Sequence, residues 1–173
     1  MPSTYTLISS NVLSSSAASV TFSAIPSTYT DLVLRMSARS DAAGVWGDAL
    51  NLQFNNDTTT KYSITTLEGN GSVAYSSRMS NDNRIRFISI DTAGNTSNTF
   101  TSLELYFPSY TAAQNKPSSI SMAAENNTTE AYQGAWANLY RSTSAITEIK
   151  LFMISASSFV SGSSFYLYGI KNS

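Results

Sequence analysis

Residues 19–39, SVTFSAIPSTYTDLVLRMSAR, carry the pattern that decides the fold. Leu32, Leu34, Met36 and Ala38 fall on one face of this stretch, and Val33, Arg35, Ser37 and Arg39 on the other. Strict alternation with period two marks a half-buried strand. Upstream, Val20 and Phe22 alternate with Ser19, Thr21 and Ser23, which predicts a partner strand. Pro26 and the polar residues 27–31 lie between them. Proline has no N–H to give to a ladder, so it belongs in the connection.

The same grammar repeats outward in both directions. Tyr5 and Leu7 open a strand over Tyr5–Val12. Leu50, Leu52 and Phe54 define another, and residues 62–68 a shorter one that ends at the turn signal Asn70-Gly71-Ser72. Residues 73–83 show no clean alternation. In 83–90, Ile85 and Phe87 share one face, and Arg84, Arg86 and Ile88 the other. Leu103, Leu105 and Phe107 mark a buried face that Pro108 stops. A loop over 110–117, ending in proline, precedes the strand of Ile120, Met122 and Ala124. In 132–140, Ala135, Ala137 and Leu139 oppose Gly134, Trp136, Asn138 and Tyr140. Ile149, Leu151 and Met153 define the next strand. The last, Ser164–Ile170, is apolar on both faces, with Phe165 and Leu167 against Tyr166 and Tyr168. Such a strand is expected inside a sheet covered on two sides and paired with an early strand, with Gly169 admitting a close neighbour.

The count comes to about eleven short, evenly spaced strands, which suits a sandwich. No segment holds a helical period, and no repeat of solenoid length recurs. The expected fold is all-β: one domain over residues 1–173, a two-sheet antiparallel β-sandwich, jelly-roll-like.

Composition narrows the chemistry. Charged residues make up only 12% of the chain and the net charge is −1, so Ser, Thr and Asn supply the polarity. With 42% hydrophobic residues the chain has material for a core and is not a disordered type. A near-neutral chain offers no basic footprint for nucleic acid, and no polybasic helix for a membrane surface. Cys and His are both absent, which removes disulfides, thiol nucleophiles, imidazole bases and the usual zinc ligands. The N-terminal residues lack a basic and apolar leader, so no signal peptide is expected.

The candidate sites are few. A Ser–Lys dyad would need Lys61, Lys116, Lys150 or Lys171 desolvated beside a serine. Paired carboxylates, such as Asp41 with Asp48 or Glu125 with Glu130, show no distinctive spacing. Asp41, Asp48 and Asp57 flank loops and offer oxygen ligands of the kind calcium takes, although Asp also simply favours turns. Asn-Xaa-Ser/Thr matches at Asn56, Asn70 and Asn126 are what an Asn-rich chain yields by chance. Trp46 in its glycine-flanked loop, together with Trp136, Tyr140, Tyr166 and Tyr168, are candidate contacts for a glycan or a partner, with core packing as the other role of Trp136 and Tyr140. Arg35 with Arg39, and Arg84 with Arg86, read as outward charges that block strand mispairing or join subunits. No catalytic residue, cofactor or metal is expected.

Several stretches together resemble a family of small virion proteins of tailed bacteriophages. They are YTLISS, SVTFSAIPSTYTDLVLRMSAR, NLQFN, LEGNGS, YFPSYTAAQNKPSSIS, the AAENN turn with the following AYQGAWANLYRSTSAITEIKL, and the terminal SSFYLYGIKNS. The resemblance spans nearly the whole chain and rests on the order of the IP-TYTDL turn, the P-Y…NKP loop and the FYLYGI end. It implies a β-sandwich particle component made in the host cytoplasm and carried in the virion, and it brings no catalytic residues. Capsid cement (decoration) is the first expected role, with the major capsid protein as partner. A tail fibre or tail adhesion protein that recognises a host-surface glycan is the alternative. Aromatic residues on both faces of the late strands, Trp136 and Tyr140 on one side and Tyr166 and Tyr168 on another, raise the further expectation of a homotrimer.

Overall fold

A computed structural model describes residues 4–44, 48–127, 129–154 and 156–171. Twelve strands follow one another: β1 (Tyr5–Val12), β2 (Ser19–Phe22), β3 (Asp31–Ala38), β4 (Asp48–Phe54), β5 (Tyr62–Gly69), β6 (Ala74–Asp82), β7 (Ile85–Ile90), β8 (Thr101–Phe107), β9 (Lys116–Glu125), β10 (Ala131–Tyr140), β11 (Ile149–Met153) and β12 (Ser164–Ile170). There is no helix among the described residues.

The strands form an eight-stranded sheet in the order β1-β12-β3-β8-β9-β10-β5-β6 and a four-stranded sheet in the order β2-β11-β4-β7, and neighbouring strands pair antiparallel. Setting β5, β6, β9 and β10 aside leaves β1-β12-β3-β8 facing β2-β11-β4-β7. Successive strands then alternate between the two sheets except where β4 leads to β7 and β12 ends beside β1. This is the wrapping of a jelly roll. The two inserted hairpin elements, β5-β6 and β9-β10, extend the large sheet beyond β8.

The alternation read in β3 holds: Leu32, Leu34, Met36 and Ala38 all point into the core. Val33 is buried as well, on the opposite face. Three corrections have local causes. Residues 74–82 form a strand whose residues are nearly all exposed on both faces, so β6 has no alternation to show. A register shift in the β4–β7 pairing, between Leu50 and Leu52, brings Ile85 and Ile88 to the same buried face instead of opposite ones. Pro117 sits inside β9, not in a loop, opposite Leu139; the ladder to β8 reaches only Ser119, so its missing N–H falls where the strand begins.

Turns explain much of the asparagine. Asn55, Asn56, Asn81, Asn98 and Asn127 adopt positive φ, between 53° and 64°. Asparagine tolerates that conformation far better than other residues with a Cβ. In the β5–β6 hairpin Gly71 takes φ 87°. There Asn70 Oδ1 accepts the N–H groups of Ser72 (3.1 Å) and Val73 (2.9 Å).

β12 pairs with β1 on one side and β3 on the other, so the last strand does meet early ones. Only one of its faces is covered: Phe165 and Leu167 are fully buried, while Tyr166 and Tyr168 remain half-exposed on the other. Gly169 faces the core, and the ring of Tyr29 lies where a Cβ would stand, 2.3 Å from that position. Phe165→Ala is expected to cost about 3–5 kcal/mol in denaturant unfolding, as a fully buried aromatic should. Gly169→Ala is expected to cost about 1–3 kcal/mol, because the Tyr29 ring must move. A melt of Gly169→Ala matching the parent would refute the tight Tyr29 contact.

Candidate interaction surface

Strand register sets the chemistry of the outer face of the large sheet. One row reads Tyr166, Arg35, Glu104, Ser121, Ala135, Leu67 across six strands. The adjacent row reads Tyr168, Val33, Tyr106, Ser119, Ala137, Thr65. Val33, between two tyrosines, is buried, and the others are exposed or half-exposed. The four central positions, Ser119, Ser121, Ala135 and Ala137, are all short. They floor a shallow depression of about 380 Å³ walled by Tyr106 and Leu67. Leu67 is 63% exposed, an unusual position for a large apolar side chain. Short side chains between larger ones let the backbone or a side chain of another molecule approach the sheet closely.

A second depression, about 300 Å³, lies beside Tyr166 against Arg35 and Glu104. Arg35 Nε donates to Glu104 Oε2 at 2.8 Å. The guanidinium also stands 5.7 Å from the centroid of the Tyr5 ring, which meets Tyr168 edge-on at 6.3 Å. An ion pair this exposed contributes about 0–1 kcal/mol to stability, so its effect is to orient side chains.

The aromatic candidates separate accordingly. Tyr166 and Tyr168 belong to the open face. Trp136 and Tyr140 do not: each is only 2% exposed and points inward. The Trp136 indole lies over Gly134, two residues back on the same face, where any Cβ would collide with it at 2.3 Å. Tyr140 stacks on Tyr62 at 4.8 Å, and Phe54 of the small sheet closes on both rings. The structure gives both of them core packing, the other role their pattern allows. Trp46 lies outside the described residues.

The charged candidates resolve into structural parts. Arg39 does not join Arg35 on an outward face. It is buried and donates to the carbonyls of Asn95, Thr96 and Thr99, fastening the loop before β8. Lys116 is buried too, with its ammonium on the carbonyls of Ala112, Gln114 and Ser142, and burial pushes its pKa down. Arg86 pairs with Asp82, whereas Arg84 lies over the Phe152 ring. Asp48 and Asp57 stand at opposite ends of β4, so the three aspartates do not converge on one ion. Asp48 accepts from Ser40 Oγ (2.7 Å), and Asp41 from the Ser158 N–H (2.7 Å). Glu125 is bonded by the Thr96 and Asn127 N–H groups, and Glu130 by Asn126.

Asp57 anchors the far end of the core. Burial alone would raise its pKa. Hydrogen bonds from the Thr59 side chain and N–H, from Tyr140 and from Lys61 outweigh that and hold the carboxyl well below the usual range. Burial first, and then the neighbouring Asp57 carboxylate, push Tyr140 up to about 12. Tyr62, whose hydroxyl accepts from the Phe54 N–H and donates to the Asp57 carbonyl, is raised mainly by burial.

What sequence reasoning missed on the open face is Leu67, Tyr106 and the short floor. The signal was present in 132–140. A face carrying Trp and Tyr with Gly packs inward more naturally than one carrying two alanines, because the large rings hold the buried area.

The class so defined is an antiparallel jelly-roll sandwich with an extended sheet open on one face. No family model matches the chain, and no curated protein matches it. Among solved structures it is similar to Scytalido-glutamic peptidase, crystallised with a peptide-based transition state analogue. The identity is 12% and the TM-score 0.31, over 91% of this chain and 66% of that one. The chain thus spans just under two thirds of the peptidase's length, and no activity carries over at this level of likeness.

The Asp57 end predicts a two-limbed pH profile. A depressed Asp57 pKa contributes stability that is present above its unfolded value of 3.8 and lost as pH falls below it. A raised Tyr140 pKa contributes stability that is present below its unfolded value of 10.0 and lost as pH climbs toward 12. Melting temperature should therefore drop on both sides, with Asp57→Asn shrinking the acid limb and Tyr140→Phe the alkaline one. Unchanged limbs in both variants would disprove the assignment.

Proposed function

We propose that this chain is a structural component of a tailed-phage virion, a cement protein that lies on the outer capsid shell and stabilises contacts between capsomers. The reading starts from the resemblance in the turn, loop and C-terminal motifs quoted above. The structural observation that supports it is the open face of the large sheet. A short Ser/Ala floor runs between Tyr106 and Leu67 there, with few charges to desolvate. Such a face suits docking on another protein: it is broad, near-neutral and lined by groups that need no counter-ion.

A role in tail adhesion is the second reading. The depression beside Tyr166 favours it, since an aromatic ring next to the polar Arg35–Glu104 pair offers a sugar both a stacking surface and hydrogen bonds.

Quantitative mass spectrometry of purified virions separates the two. The chain is expected in the proportion of capsomers; the proportion of tail subunits would favour adhesion, and absence from virions would end both readings. In parallel, Ser121→Arg with Ala135→Arg is expected to leave melting unchanged, because both residues are exposed, and to abolish loading onto particles stripped of this protein. Undiminished loading would move the capsid contact off this face.

A further inference from the structure

The two sheets have four outer strands: β1 and β6 in the large one, β2 and β7 in the small one. An unpaired edge is a template for another strand, and proteins usually blunt it with charge, proline or short length. β2 has only four residues. β6 contains Arg78 and Asp82, and β7 contains Arg86. β1 has eight residues, YTLISSNV, with neither a charge nor a proline. Indeed residues 1–30 contain no Asp, Glu, Lys or Arg at all. This one uncharged long edge also exposes three large apolar side chains, Tyr5 (46%), Leu7 (51%) and Val12 (59%).

The three share a face. Tyr5 pairs with Ile170, Leu7 with Tyr168, Ser10 with Tyr166 and Val12 with Ser164, all outer-face positions of β12. The register shift between Leu7 and Ser9, which leaves Ile8 as the inserted residue, is what allows positions 5 and 7 to lie with positions 10 and 12.

We propose that β1 pairs antiparallel with β1 of a second copy, about a two-fold axis between Ile8 and Ser9. In that register Tyr5 stands opposite Val12 of the second copy, Leu7 opposite Ser10, and Thr6 opposite Asn11. Each outer-face residue meets an outer-face residue, and Thr6 and Asn11 meet on the inner face. At the axis Ile8 of each copy stands opposite Ser9 of the other. A shift by one residue would set outer positions against inner ones, which strand alternation forbids. A shift by two leaves the end residues without partners. The edge is thus complementary to itself over its full length, as a two-fold interface requires. The pairing joins the two large sheets into one, with their open faces continuous. It replaces the threefold expected from the sequence, since two of the four rings behind that expectation, Trp136 and Tyr140, are in the core.

Sedimentation equilibrium on the full chain tests the inference independently of any virion role. The parent is expected at twice the chain mass of 18.7 kDa. Leu7→Lys and Ser10→Lys, both at exposed positions, are each expected to give a folded single chain whose melt stays cooperative and no longer depends on protein concentration, whereas Ser76→Lys on β6 keeps the dimer. Since the chain lacks cysteine, register can be read directly. A Tyr5→Cys, Val12→Cys double variant should form a covalent dimer on mild oxidation, and neither single variant should. A parent that stays single at every accessible concentration, or that has three-chain mass, would overturn the proposal. So would a dimer indifferent to Leu7→Lys, or cross-linking by the single variants.

Discussion

The structure depends on where its last strand goes. β12 enters between β1 and β3, and with it out the large sheet would fall into two pieces. The approach to that slot is tied down before the strand begins. Phe159 exchanges backbone hydrogen bonds with Ala17 (2.9 and 3.0 Å), Leu13 N–H donates to the Ser163 carbonyl, and Gly162 N–H to the Leu13 carbonyl. The Phe159 ring then meets Phe165 edge-on at 5.1 Å, inside the core. These contacts join the two ends of the chain. Pairings so distant in sequence carry a loop-closure cost before they return any stability, so this closure is expected late in folding.

Once the roll is closed, β8 would be an edge. The inserted strands β9, β10, β5 and β6 continue the sheet from it, and their inner face must be filled. Aromatic residues do this. Phe54 of the small sheet meets Phe107 edge-on at 5.5 Å and closes on Tyr62 and Tyr140 of the extension. Trp136, flattened over Gly134, fills the next layer along β10. Rings this large bring hydroxyls into the buried interior, and Asp57 with its surrounding donors satisfies those of Tyr140 and Tyr62. A sheet has two faces, however, and the small sheet can cover only one. The other, left to solvent, carries Ser and Ala where the first carries Trp and Tyr.

Much of this was legible in the residues themselves. Alternation in β3, β8, β9 and β11 sorted core from surface, and turn chemistry located the β5–β6 hairpin at Asn70-Gly71. The failures have separate physical causes. β6 is bare on both sides, and periodicity exists only where one side is covered. The face of Ile88 was misassigned because a register shift inserts a residue, and period-two reading cannot see an insertion. Arg39 looked like an outward charge by parity with Arg35, but it lies one residue beyond β3, where the chain has turned and three carbonyls of the 91–99 loop need a donor. Trp136 and Tyr140 were placed on one face correctly; which face was the core is a tertiary fact that only ring size hints at. Of the open surface, Tyr166 and Tyr168 were readable from β12, while Leu67 and Tyr106 join them only through the register of six strands.

The scarcity of charge acquires a structural meaning from where the few charges sit. Asp31, Arg39, Asp48, Asp82, Asp91 and Lys116 are all buried. Asp31 accepts the Tyr106 hydroxyl and the Ser109 N–H, and Arg39 and Lys116 cap loop carbonyls. A share of an already small number of charges is therefore engaged in fastening loops, and less remains for the surface. Solubility then falls to hydroxyls and amides, which hydrate well but repel nothing. Charge is what ordinarily keeps like surfaces apart. A chain whose first thirty residues hold no charge, whose one long uncharged edge strand lies within them, and whose broadest face is floored with serine and alanine has little to oppose close approach by another protein surface. The same economy that lets Arg39 and Lys116 hold the loops leaves the exterior disposed to association.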